Sequence, residues 1–217
     1  MKEYYCDEFE NSIKVIAFDF DETFYSSDNM RELYLEYIKR TFMQLCGFSE
    51  EKTKLVMESL GYTPTSKIAP SFSHICKDFG VSEETYHTYR IKNNFEIDYS
   101  NAEIVENKTL EKFAEKFHLY IVSNEIDKIL YSKFKKIGLN ENLFSGVYAT
   151  PIDANKTNTK DVPYLDIIKR EKIKPNELLA IGDRFKVDIE PALKIGASGI
   201  LINKPRDLKF IIENILN

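Results

Sequence analysis

Ile13-Lys14-Val15-Ile16-Ala17-Phe18-Asp19-Phe20-Asp21-Glu22-Thr23 is the stretch whose reading decides the fold. The apolar run up to Phe18 has the length and continuity of a strand buried on both faces, as in a parallel sheet. Asp19 and Asp21 then leave its carboxyl end, which is where open α/β sheets build their sites. Two carboxylates two residues apart suit a division of labour in which one attacks and the other moves protons.

Working outward, the pattern changes twice. From about Asn29 to Phe95 the apolar positions recur at helical spacing, as in Leu33, Tyr34, Tyr37, Ile38 and Leu45, and then Leu55, Val56 and Leu60. From Leu110 onward strands and helices alternate. We expect a helix to about Phe117, a strand over Leu119 to Val122, a helix over Glu125 to Ile137 and a strand over Gly146 to Ala149. A helix opening at Pro163, a strand over Leu178 to Ile181 and a helix over Val187 to Ile195 follow. A strand over Gly199 to Ile202 and a helix near Asp207 to Leu216 close the series. This predicts an α/β fold, a doubly wound parallel-sheet, Rossmann-like core with a small inserted α-helical domain. The expected boundaries are 1–24 and 102–217 for the core and 25–101 for the insertion. Ser26 to Asn29 and Asp98 to Asn101 are the connectors, from their turn-forming composition.

Composition narrows the function. The 217 residues, 43% of them hydrophobic, suffice for one core and a smaller module. The net charge of −5 is spread along the chain without a long block of one sign, which argues against a nucleic acid polymer or a membrane as partner and leaves a small molecule. No segment approaches the ~20 apolar residues of a membrane helix, and Met1 to Asn11 does not read as a leader, so a cytoplasmic location is expected. Cys6, Cys46 and Cys76 have no metal-binding spacing and read as reduced thiols. His74, His87 and His118 are scattered and read as structural or surface residues. Tyr25, Tyr62, Phe72, Tyr86 and Tyr89 read as core more readily than as stacking platforms.

Three more clusters follow apolar strands. Ser123-Asn124 offers a hydroxyl and a helix-starting N–H, Lys160 an ammonium, and Gly182-Asp183 with Asp188 a second group of carboxylates. Each alone has a structural explanation as a cap, turn residue or solvated charge. Together at the same sheet edge, the carboxylates would repel by roughly 4 kcal/mol per pair at ~4 Å and an effective dielectric near 20, which argues for a bound cation. All-oxygen ligation points to Mg²⁺.

These residues closely resemble the haloacid dehalogenase superfamily, in order and over about Ile13 to Ile202. Asp19-Phe20-Asp21-Glu22-Thr23 is similar to its first motif, Ser123 to its second, Lys160 to its third, and Gly182-Asp183-Arg184 with Asp188 to its fourth. Lys156 competes with Lys160 for the third. The resemblance implies a phosphatase in which Asp19 is the nucleophile, forming an aspartyl-phosphate, and Asp21 the general acid and base. It implies that Ser123, Asn124 and Lys160 bind phosphate, and that Asp19, the Asp21 carbonyl, Asp183 and Asp188 hold Mg²⁺. Thr23 would order the loop. The helical insertion would be a mobile cap.

Within that family, the acid at position 21 favours phosphate esters over halides, because an alkoxide leaving group needs a proton. The implied substrate is a small-molecule phosphate monoester, a nucleotide or a sugar phosphate. A β-phosphoglucomutase-like phosphomutase and a non-catalytic phosphate-ligand binding protein stay open as alternatives. A phosphorylation-responsive receiver domain fits less well, because its acceptor Asp would fall where this chain has Ser123.

Overall fold

Val15–Phe18 (β2) is the centre of the architecture, and all four of its residues are buried. The computed structural model describes residues 3–5, 13–27, 30–63, 76–93, 99–150 and 160–214. Asp28, Asn29 and Asp98 of the expected connectors lie outside the described residues, as do Cys6, Phe72, His74 and Lys156.

β2 pairs in parallel with His118–Ile126 (β5) on one side and Leu178–Gly182 (β7) on the other. Gly146–Thr150 (β6) extends the sheet beyond β5, and Ser198–Leu201 (β8) extends it beyond β7. The chain thus builds outward from β2 in one direction, then returns to build in the other. That reversal places a topological switch point at the carboxyl end of β2. Glu3–Tyr5 (β1), which the sequence pattern did not reveal, pairs antiparallel with β8 and makes the six-stranded order β1-β8-β7-β2-β5-β6.

Alternation along β2 serves both faces of the sheet. Val15 and Ala17 join Tyr120, Val122, Leu178 and Ala180 in a cluster roofed by Tyr164 and Ile167 of the helix Asp161–Glu171. Phe18 instead meets Phe24 and Phe113 edge-on, with ring centroids 5.5 and 5.4 Å apart. Burying both faces is why the run is continuously apolar rather than alternating.

The described residues form two compact units. One holds 3–5, 13–26, 99–150 and 160–214, the other 27, 30–63 and 76–93. The short ribbon of Tyr25–Ser26 (β3) and Glu103–Ile104 (β4) belongs to the first. The second unit is helical, with Met30–Leu45 (α1), Glu50–Ser59 (α2) and Glu83–Lys92 (α3). Ser49 and Ser82 start α2 and α3 in the same way: each hydroxyl accepts the N–H three residues on, and two glutamates follow in the first turn. Tyr37, Ile38, Phe42, Met57, Tyr62 and Tyr86 form this unit's core, with Tyr89 packed against it. Tyr25 is buried in the first unit.

Several element boundaries differ from the sequence reading. β5 runs to Ile126 instead of stopping at Val122, because β6 continues alongside it and pairing resumes at Ile126 with Thr150 after an irregularity. Ser123 and Asn124 therefore lie on the strand, and Asn124 does not start a helix. The helix begins at Asp127 and runs to Ile137 (α5), after Asn107–Ala114 (α4). α5 is stopped by Gly138 at φ 69°, a left-handed conformation suited to glycine. Asp161–Glu171 (α6) starts two residues before Pro163. Proline is tolerated there because first-turn N–H groups have no helical acceptor. The helix expected over Val187 to Ile195 divides into a π-helical turn, Phe185–Ile189, and the α-helix Glu190–Lys194 (α7). Asp207–Asn214 (α8) is the last described helix. No helix among the described residues is long and apolar enough to cross a membrane.

Candidate active site

Asp19 is the residue at which β2 ends. Its N–H donates to the Ile181 carbonyl at 2.8 Å, continuing the β2–β7 ladder one step past Phe18. The carboxyl group is 2% exposed. One oxygen, Oδ1, accepts a hydrogen bond from Lys160 Nζ at 2.5 Å, while Oδ2 is buried with no hydrogen-bond partner among the described residues.

Lys160 immediately precedes α6. Its carbonyl accepts the Tyr164 N–H at 3.1 Å, and its side chain, 1% exposed, also reaches Asp188 Oδ1 at 2.8 Å. Burial works against the ammonium, but Asp188 and Asp19 outweigh it and hold its pKa above the ordinary lysine value. Tyr164 is fully buried and donates its hydroxyl to the Asp188 carbonyl at 3.0 Å, tying α6 to the turn that carries Asp188.

β7 delivers the remaining acids. Asp183 follows Gly182 directly, and Asp188 sits on the π-helical turn with Oδ2 accepting the Arg184 N–H at 2.8 Å. Asp19, Asp183 and Asp188 each offer an oxygen within 4.8 Å of the others. Asp183 Oδ1 is buried and lacks a hydrogen-bond partner among the described residues, with Arg184 Nε 3.8 Å away. Burial and then Asp188 push the Asp19 pKa up, against the pull of Lys160. Burial and then Asp19 push Asp183 up to about 8, against the pull of Arg184. Asp19 Oδ2 and Asp183 Oδ1 are left unpartnered in a group of three acids that the single Lys160 ammonium does not neutralise, an all-oxygen donor set that fits a hard divalent cation.

Gly182 makes this arrangement possible. A Cβ built there would lie 2.5 Å from Asp188 Cβ and 2.6 Å from Asp188 Oδ2, distances that force a shift. Gly182→Ala is therefore expected to displace Asp188 and lower activity by about 10²-fold. Steady-state kinetics beside a melting curve checks this, and a variant with unchanged turnover would refute it.

The other predicted residues lie on the neighbouring strand β5 and in the turn after β2. Ser123 is buried, two positions beyond the Ile121 that pairs with Phe18, and its Oγ accepts the Glu125 N–H at 3.1 Å. Asn124 is next on β5 and partly buried. Thr23 is buried in the turn after the acids, where the N–H groups of Thr23 and Phe24 both donate to the Phe20 carbonyl.

Asp21 lies in a group that sequence reasoning missed. Its Oδ1 accepts hydrogen bonds from Lys133 Nζ at 2.5 Å and from the Tyr25 hydroxyl, and Lys133 also reaches Glu125 Oε2 at 2.8 Å. A signal for Lys133 existed: it is four residues after Ile129 and three after Leu130, both buried, so the helical repeat puts a lysine on the apolar stripe of α5. Elsewhere His87 is buried, and His118 is exposed and bonded to Glu171 at 2.7 Å.

The model of the family described as haloacid dehalogenase-like hydrolase matches residues 16–202. No curated protein matches the chain. Among solved structures, a HAD phosphatase from Thermococcus onnurineus is 22% identical with a TM-score of 0.57, the alignment covering 88% of this chain and 86% of that one. A predicted phosphoglycolate phosphatase from Haemophilus somnus 129pt is 20% identical with a TM-score of 0.57, covering 88% and 85%. The HAD-hydrolase YfnB of Bacillus subtilis, whose structure is bound to magnesium, is 17% identical with a TM-score of 0.53, covering 93% and 99%. At these identities the likeness to the solved structures is one of fold.

Proposed function

The chain belongs to the haloacid dehalogenase-like hydrolase family, and from that premise we propose that it is a Mg²⁺-dependent phosphatase of a small-molecule phosphate monoester, a nucleotide or a sugar phosphate. The observation that carries this reading is the convergence of Asp19, Asp183 and Asp188 within 4.8 Å, with Lys160 against Asp19 and Asp21 two residues away.

In this mechanism the Asp19 carboxylate attacks phosphorus and forms an aspartyl-phosphate as the ester P–O bond breaks. Asp21 gives its proton to the departing oxygen, then takes one from the water that hydrolyses the acyl phosphate. Lys160 and Ser123, with Asn124, hold the phosphoryl oxygens and offset their charge. Asp19, the Asp21 carbonyl and Asp183 would hold Mg²⁺, with Asp188 beside them; when bound, the ion neutralises charge on the transferring group.

Phosphate release from nucleotides, sugar phosphates and an aryl phosphate, with and without Mg²⁺, tests the proposal. Release that needs the metal supports it, and no release from any ester overturns it. The acids predict a second, independent readout. Because Asp183 rises from 3.8 to about 8, the folded chain holds a proton between those pH values that the unfolded chain has released. Metal-free stability therefore falls as pH rises through that window. Mg²⁺ binds the ionised form, so the melting-temperature gain on adding it is expected to be larger at pH 8 than at pH 5.5. Equal gains at both pH values would count against these carboxylates as ligands.

A further inference from the structure

We infer that Lys133 is a positioning residue for Asp21: together with Tyr25 it holds Oδ1, so that Oδ2 is the oxygen turned to the leaving group. The inference rests on the phosphatase reading and adds to it a residue outside the four motifs.

The two carboxylate oxygens of Asp21 differ in their partners. Oδ1 accepts from both Lys133 Nζ and the Tyr25 hydroxyl, whereas Oδ2 accepts no hydrogen bond among the described residues. The side chain is 36% exposed, so packing alone leaves its carboxyl plane free to turn. Two donors on one oxygen remove that freedom, and they keep the negative end of the group on Oδ1.

Lys133 is in turn fixed. Its side chain is 12% exposed, and its second partner, Glu125, is 4% exposed. Glu125 Oε2 accepts from Lys133 at 2.8 Å while Oε1 accepts the Ile126 N–H at 2.8 Å. The clamp therefore runs from the β5 backbone through Glu125 and Lys133 to Asp21. Tyr25 is steadied by an edge-on contact with Tyr99, with ring centroids 5.1 Å apart.

The step this serves is balanced without any further reactant. An Asp19 oxygen bonds to phosphorus, the bond between phosphorus and the ester oxygen breaks, and the proton on Asp21 Oδ2 passes to that oxygen. A misplaced Oδ2 harms esters whose leaving group needs the proton and spares those whose leaving group is already a stable anion. Leaving-group dependence thus separates a positioning role from a structural one.

The test measures kcat/KM for an alkyl phosphate and for 4-nitrophenyl phosphate with wild type, Lys133→Met and Tyr25→Phe. Lys133→Met is expected to lose about 10²-fold on the alkyl ester and under about 3-fold on the aryl ester. Tyr25→Phe, which keeps the ring in its buried site, is expected to show the same selectivity at smaller size. In an Asp21→Asn background, adding Lys133→Met should change the alkyl rate by less than about 3-fold. Equal losses on both esters in the two variants, or no loss, would overturn the inference while leaving the phosphatase reading standing. If Lys133→Met does not fold, Tyr25→Phe decides alone. Wild type inactive on both esters would overturn both readings together.

Discussion

Asp19→Asn is expected to reduce Mg²⁺-dependent phosphate release by at least about 10⁴-fold, the scale on which enzymes lose turnover when their nucleophile is removed. The replacement is nearly isosteric, and it removes a charge from a site where Asp19, Asp183 and Asp188 crowd within 4.8 Å. Lys160 keeps its contact with Asp188 at 2.8 Å. The metal-free melting temperature of Asp19→Asn should therefore be no lower than that of wild type, an opposition of activity and stability common at catalytic centres. Loss of activity with a retained or raised melting temperature supports nucleophilic catalysis by Asp19. A variant that keeps a tenth of wild-type release would exclude it, and a variant that melts far below wild type would show that Asp19 is needed for folding.

Lys160→Met has the second large effect, and it falls on stability as well as turnover. The ammonium is the buried counter-charge to Asp19 and Asp188, at 2.5 and 2.8 Å. Removing it leaves two carboxylates buried together, a change worth about 3–5 kcal/mol when a buried ion pair loses one partner. Urea denaturation without metal should show that loss as a lower midpoint at unchanged slope. Adding Asp188→Asn to Lys160→Met should recover a large part of it, since the second change removes one of the stranded charges. Phosphate release should be lost in both variants. A midpoint shift equivalent to less than about 1 kcal/mol would mean that water or a cation already screens the pair.

The two predictions draw on different kinds of information in the chain. The strand Val15–Phe18, the alternation that follows Leu110 and the helical stretch between them were legible because strand and helix periodicity are local properties. So was the place of Asp19 and Asp183 directly after strands, since a motif after an apolar run needs only the run to be recognised. Element ends were less legible. β5 continues through Ser123 and Asn124 because β6 pairs with it, and no feature of residues 119–126 alone announces a neighbour.

By itself, then, the sequence determined the α/β class, the order of the acid clusters and the chemistry their residue types permit. Tertiary structure alone decided which side chains meet. Lys160 bonds Asp19 across 141 residues, and Lys133 bonds Asp21 across 112. Both contacts depend on the order in which β5 and β7 flank β2 and on the register of each pair, which are long-range quantities. The same register decides which carboxylate oxygens are left without partners. That is why the acids could be named from the chain, while the pairing of Lys133 with Asp21 became visible only in the folded molecule.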